Sequence, residues 1–257
     1  MPLKENTRVL VTAAGSGIGR VIAETFHQHG ARVHICDIDQ KLIDDTASAL
    51  SGVTGTLCDV SVPEQVARLF EDVTTQLGGL DVLVNNAGIA GPTELVENLE
   101  IDDWNRTLAV NLSGQFYCAR LAIPMIREAG GGSIINLASI AGRKGYPFRT
   151  PYAASKWGVV GLTKSLSREL GAAKIRVNAI LPGIVEGPRI ERVFEARAKT
   201  EGRTRDEIQR EFLAQTSMGE FISPQSVANT ALFLASEEGQ QMSGQTLNVD
   251  GDQHVLG

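Results

Sequence analysis

The chain has 257 residues, 42% of them apolar and 21% charged, which fits a globular protein with one sizeable core and excludes a disordered or fibrous chain. Twenty-four Lys and Arg against thirty Asp and Glu leave a net charge of −6, which disfavours nucleic acid as a partner. No apolar run approaches the roughly 18 residues of a membrane span, and Lys4, Glu5 and Arg8 stand where a signal peptide would be apolar, so a cytoplasmic protein without a membrane partner is expected.

Short apolar runs alternate with amphipathic stretches from end to end, the pattern of β-α repeats that build a parallel sheet covered on both faces. Seven strands are predicted at 7–12, 31–36, 53–58, 80–85, 132–138, 174–181 and 245–249. Helices are predicted near 17–30, 39–50, 63–78, 101–129, 152–171 and 224–236, with Pro63 and Pro224 in first-turn positions and Ser223 as an N-cap. No linker divides the chain, which predicts a single α/β domain, doubly wound, over 1–257. The exception in texture is the charged connection near 184–219, long enough to act as a substrate-binding lid.

The first strand runs into Thr12-Ala13-Ala14-Gly15-Ser16-Gly17-Ile18-Gly19 and then into an amphipathic helix, so its glycines fall where a backbone must approach a ligand closely. A pyrophosphate at that helix N-terminus fits the pattern. Asp37 ends the second strand, where its carboxylate would accept hydrogen bonds from adenosine ribose hydroxyls and repel a 2′-phosphate, favouring NAD over NADP; the competing role is a helix cap. Of Tyr117, Tyr146 and Tyr152, only Tyr152 has a lysine four residues later, and Lys156 on the same helix face would lower the phenol's pKa into a range useful for proton transfer.

Cys36, Cys58 and Cys118 form no CxxC and read as buried reduced thiols, while His27, His29, His34 and His254 lack metal-ligand spacing, so no metal is expected. Trp157 and Phe148 flank Tyr152, lining the substrate pocket or filling a helix interface.

Taken together, these motifs resemble the classical short-chain dehydrogenase/reductase family over essentially the whole chain. The glycine turn is similar to the family's TGxxxGxG, with Ala13 in place of its first glycine and Gly15 left to relieve the turn. The resemblance implies a Rossmann-type fold, adenine contacts at Asp59 and Val60, and cofactor contacts at Asn86, Ala87 and Gly88 within Asn85-Asn86-Ala87-Gly88. It implies a catalytic tetrad of Asn111, Ser139, Tyr152 and Lys156, and passage of Pro182-Gly183 beside the nicotinamide, with Ile184 or Val185 supplying the backbone that holds the carboxamide. Asn248-Val249-Asp250-Gly251 resembles the family's C-terminal VDGG.

On that basis Tyr152 carries the proton, Ser139 holds the reacting oxygen, Lys156 lowers the Tyr152 pKa and binds ribose, and Asn111 holds a water that relays protons from Lys156. The expected function is NAD(H)-dependent interconversion of an alcohol with a ketone or aldehyde on a small molecule. An NADP-linked carbonyl reductase and a non-catalytic dinucleotide sensor on the same fold are the competing readings. The resemblance also implies a homotetramer through the helices near 112–129 and 152–171. If the family architecture holds, Arg143, Arg149 and Arg189 border one cleft, and at least one of them would hold an anionic or strongly polar substrate.

Overall fold

The structure, a computed structural model, describes residues 1–254. Runs such as Val9-Leu10-Val11, apolar on both faces, suit the interior of a parallel sheet, and they form it. The strands are β1 (Arg8–Thr12), β2 (Arg32–Asp37), β3 (Thr54–Leu57), β4 (Val82–Asn85), β5 (Gly132–Leu137), β6 (Ile175–Pro182) and β7 (Thr246–Val249). All pair in parallel in the order β3-β2-β1-β4-β5-β6-β7. The order reverses between β1 and β4, which opens a crevice beyond the carboxyl ends of those two strands.

Helices α1 (Gly17–Gln28), α2 (Gln40–Ala49), α3 (Pro63–Leu77), α4 (Ile101–Leu108), α5 (Gly114–Glu128), α6 (Thr150–Leu170), α7 (Pro188–Glu201), α8 (Arg205–Ala214) and α9 (Pro224–Ala235) complete the chain. One face of the sheet buries Ile22 and Phe26 of α1 with Val227 and Leu232 of α9. The other buries Leu69 and Val73 of α3, Ile126 of α5 and Leu166 of α6. Pro63 and Pro224 occupy first-turn positions, and Ser223 accepts the Ser226 amide as a cap.

Three local features depart from the sequence reading. The helix predicted over 101–129 is broken by a π-turn at Ala109–Ser113, which carries Asn111; the extra residue per turn is invisible to a 3.6-residue period. Helix α6 begins at Thr150, two residues early, because Pro151 presets the first turn. The charged connection contains α7 and α8, joined at Gly202, whose φ is 65°, and started by a Thr204–Glu207 capping box. Its charges pair with one another: Arg197 with Glu201 and Glu211, Arg203 with Glu201 and Glu211, and Arg205 with Glu191 and Asp206. Phe194, Ile208 and Phe212 form a small core beneath, reaching Ile184 and Tyr146.

Candidate active site

A cleft of about 550 Å³ opens over the crevice between β1 and β4. At its floor Ser16 begins α1 without a side-chain cap, and the first helical bond runs from the Arg20 amide to the Ser16 carbonyl. The amides of Gly17, Ile18 and Gly19 therefore have no intrahelical partner, and these residues line the cleft. Gly17 has φ 55°, and a Cβ on Gly19 would fall 2.3 Å from the Ala13 carbonyl oxygen and 2.4 Å from Asn86 Nδ2, so both positions demand glycine. This bare, unspent helix terminus fits a pyrophosphate. Ala13, not Gly15, takes the left-handed conformation expected of the missing glycine, with φ 50°.

Thr12 and Gly15 do not line the cleft; they shape it from behind. The buried Thr12 hydroxyl accepts the amides of Asn86 and Ala87, each at 3.0 Å, tying β1 to the end of β4. Gly15 donates its amide to Asp37 Oδ2 at 3.0 Å. Asp37 is 8% exposed and lines the cleft at the end of β2; Oδ1 accepts the amides of Ile38 and Asp39. The N-cap of α2 is Asp39, not Asp37. Nearby, Asp59 accepts Ser61 and pairs with Arg106 Nη2 at 2.9 Å, which outweighs partial burial and holds its carboxyl below the usual range. Val60, Asn86, Ala87 and Gly88 continue this wall.

At the far end, Ser139, Tyr152 and Lys156 converge from the end of β5 and the first turns of α6. Lys156 is 2% exposed and donates Nζ to the Leu137 carbonyl at 2.7 Å, which fixes it beside the cleft. Burial lowers its pKa to about 8, with Tyr152 opposing and Arg189 assisting that shift. Burial would raise the Tyr152 pKa, but Arg189, Lys156 and Arg149, with the Ser139 hydroxyl, overcome it and bring the phenol down to about 8. Ser139 also accepts the Ala141 amide at 3.2 Å, which orients its hydroxyl.

Asn111 is fully buried and does not line the cleft. Its side chain accepts the Ile89 amide at 2.8 Å and donates to the Ile89 carbonyl and Ser155, so it clamps the chain after β4 against α6. A Cβ on Gly88 would lie 3.2 Å from Asn111 Oδ1 and 3.5 Å from Lys156 Nζ, which puts these three residues side by side. Pro182, Gly183, Ile184 and Val185 form the opposite wall. Ile184 O and Glu186 N pair with Ile222, so the amide and carbonyl of Val185 face away from that pairing, on the side where Val185 borders the cleft.

Comparison with known proteins identifies the lineage. The family profile described as enoyl-(acyl carrier protein) reductase matches residues 12–254. A 3-oxoacyl-[acyl-carrier-protein] reductase of Thermotoga maritima is 37% identical over 246 residues, 94% of this chain and 95% of the relative. A D-beta-hydroxybutyrate dehydrogenase of Rhizobium meliloti is 35% identical, covering 94% of this chain and 96% of the relative. The solved structure of an actinorhodin polyketide ketoreductase variant with NADPH superposes with a TM-score of 0.92 at 33% identity, covering 98% of both chains. The chain belongs to the classical short-chain dehydrogenase/reductase family. It is thus an oxidoreductase of carbonyl and alcohol groups that uses a nicotinamide dinucleotide, and its cradle of bare amides, carboxylate and paired tyrosine and lysine fits that group.

Within this short-chain dehydrogenase/reductase the three arginines separate. Arg143 is exposed, donates to Asn248 Oδ1 at 2.9 Å and does not line the cleft. Arg149 and Arg189 do line it, as does Arg192, which the sequence reading did not single out. Tyr146 is a second omission: it lines the cleft beneath Arg149, and burial pushes its pKa up to about 12. Trp157 lies exposed on α6 and Phe148 sits in the turn before it with φ 62°; neither borders the cleft. Cys36, Cys58 and Cys118 are free and buried.

Proposed function

We propose that the protein is an NAD(H)-dependent dehydrogenase/reductase that interconverts an alcohol with a ketone or aldehyde on a small molecule. The observation that carries the cofactor choice is Asp37, an anionic end to β2 on the adenosine side of the cleft, with Ser16 and Ile38 offering no cation to a 2′-phosphate. The runner-up is an NADP-linked reductase, favoured by the NADPH in the similar ketoreductase structure. The intact Ser139, Tyr152 and Lys156 argue against a non-catalytic sensor.

In the mechanism this reading entails, the bound dinucleotide supplies the hydride acceptor or donor. Tyr152 Oη removes the hydroxyl proton during oxidation and returns it during reduction. Ser139 holds the reacting oxygen by a hydrogen bond and stabilises the charge that develops on it, an effect typically worth a few kcal/mol. Lys156 keeps the phenolate accessible through its positive charge and would hold the ribose hydroxyls of the dinucleotide with the N–H groups left free by the Leu137 carbonyl. Asn111 holds Ile89 in place by its amide and its carbonyl, next to Gly88 and Lys156, where a relayed proton would leave.

Phe116 on α5 and Trp157 on α6 are large, exposed and apolar, which supports association through these two helices as a homotetramer. Free thiols at Cys36, Cys58 and Cys118 suit the reducing cytoplasm. The test is a fluorescence titration with NADH and NADPH, followed by turnover on a panel of alcohols and ketones. Equal use of NADP and NAD by the wild type sinks the cofactor assignment, and tight NADH binding without turnover on any panel member favours the sensor. Light scattering after size exclusion reads the tetramer.

A further inference from the structure

The cleft beside Tyr152 carries an excess of unpaired positive charge. Arg149 is 6% exposed, yet among the described residues it makes no ion pair. Its Nη2 donates to the Ala90 carbonyl at 2.9 Å, while its Nε is buried without any hydrogen-bond partner. The guanidinium rests on two aromatic faces, 4.3 Å from the Tyr152 ring centre and 5.8 Å from that of Tyr146. Arg189, from the first turn of α7, comes to 5.8 Å from the same Tyr152 ring. Lys156 and Arg192 also line the cleft; of the three carboxylates among its described lining residues, Asp37 ends β2 and Asp59 follows β3 at the other end, which leaves Glu186 against these four cations.

The contrast within α7 and α8 is informative. Arg197, Arg203 and Arg205 are each matched to a glutamate, and those pairs consume Glu191, Glu201 and Glu211. Arg189 and Arg192, exposed on the cleft side, are left without a carboxylate partner among the described residues, as are Lys199 and Arg210 elsewhere on these helices, but of the four only Arg189 and Arg192 line the cleft. Of the arginines at the cleft, Arg149 alone is taken out of water, and a buried guanidinium with a free N–H is costly to keep unless an anion completes it; the exposed Arg189 adds a second planar fork that matches a carboxylate.

We propose, on the basis of the dehydrogenase reading above, that Arg149 and Arg189 together hold a carboxylate of the substrate, which is therefore a short hydroxy acid or its oxo acid. Because both guanidinium groups lie against the ring of the proton-carrying tyrosine, the acid group sits only a few atoms from the reacting carbon. Long neutral alcohols are poor substrates under this assignment.

The first measurement is the ratio of kcat/KM for short 2- and 3-hydroxy acids to that for their methyl esters, with NAD. The wild type is expected to favour an acid by about tenfold or more, and Arg189→Met to cut the acid-to-ester ratio about tenfold. Arg149→Lys, which keeps the charge but loses the fork, reads the buried position should Arg149→Met fail to fold. A wild-type ratio near one, or variants that slow acid and ester equally, overturns the proposal and leaves both arginines as supports for Tyr152 alone.

The second measurement needs no turnover: calorimetric titration of butyrate and of butyramide into the NADH-bound protein. Butyrate is expected to bind about tenfold tighter, and Arg189→Met to abolish the difference. Arginine-dependent butyrate binding without turnover of any substrate keeps the anion site and removes the dehydrogenase reading. Turnover of neutral alcohols with equal binding of butyrate and butyramide does the reverse.

Discussion

The Arg149 guanidinium carbon lies 4.3 Å from the centre of the Tyr152 ring, nearer than the Lys156 ammonium at 5.7 Å. With Arg189 at 5.8 Å, three cations thus lie near the ring centre, and Arg189, then Lys156 and Arg149, outweigh burial and bring the phenol's pKa down to about 8.

A pH dependence follows from that value. Oxidation needs Tyr152 without its proton, so kcat/KM for an alcohol rises with pH and levels off above about 8. Reduction needs the protonated phenol and falls over the same range. Replacing Arg189 with Met removes a charge that favours the phenolate, so the midpoint of the oxidation profile moves upward. A profile that stays put on this substitution would show that Arg189 does not act on Tyr152.

Tyr152→Phe removes the proton carrier with little change in volume. Turnover is expected to fall by roughly 10²- to 10⁴-fold, while NADH affinity, read by fluorescence titration, stays within a factor of about three. Near-normal turnover would disprove the assigned mechanism.

Asp37→Ala has two separable effects. Loss of the carboxylate removes the repulsion toward a 2′-phosphate, so the preference for NAD over NADP drops by about tenfold or more. It also strips the Gly15, Ile38 and Asp39 amides of their acceptor, which costs about 1–3 kcal/mol of stability in urea unfolding. A variant with wild-type stability would show that water replaces the carboxylate at the turn.

His34 predicts an acid weakness unrelated to catalysis. Its ring is buried between Thr54 Oγ1 at 2.7 Å and Thr56 Oγ1 at 3.1 Å, and burial lowers its pKa to about 4 against an opposing pull from Asp72. The unfolded chain takes up this proton near pH 6.5, the folded one only near 4, so stability is lost as pH falls through that window, by about 3 kcal/mol in all. Urea unfolding at pH 7 and pH 4.5 measures it, and His34→Gln should flatten the difference.

The parts of the site that depend on spacing along one element were legible in the sequence. The glycine turn declares itself because Gly17 and Gly19 occupy the start of a helix after a strand, and Tyr152 with Lys156 because four residues is one helical turn. What depends on chain direction in loops was not. Arg143 and Arg149 look alike as loop arginines, yet one reaches Asn248 at the surface and the other is buried on Tyr152; the left-handed turn at Phe148 immediately precedes the buried one. Residues that act through others were also hidden: Thr12 and Gly15 belong to the cofactor motif but hold Asn86, Ala87 and Asp37 rather than facing the cleft. The helices α7 and α8 escaped notice because their charges satisfy one another, which blurs the usual division into an apolar and a polar face.

That self-sufficiency of α7 and α8 has an evolutionary side. With its own apolar centre of Phe194, Ile208 and Phe212 and its own ion pairs, the segment meets the rest of the chain through Ile184, Tyr146 and Phe221 at that centre, through Thr200 on the Thr93 carbonyl and through Arg189 beside Tyr152. It can therefore be swapped or rebuilt as a cassette, with Arg189 travelling on it, while Asp37, Tyr152 and Lys156 stay on the strands and helix that fix them. Under the readings proposed above, Arg149 stays beside Tyr152 while Arg189 moves with the segment, so a graft of residues 188–214 from a relative would be expected to alter substrate preference and leave the cofactor preference set at Asp37 unchanged.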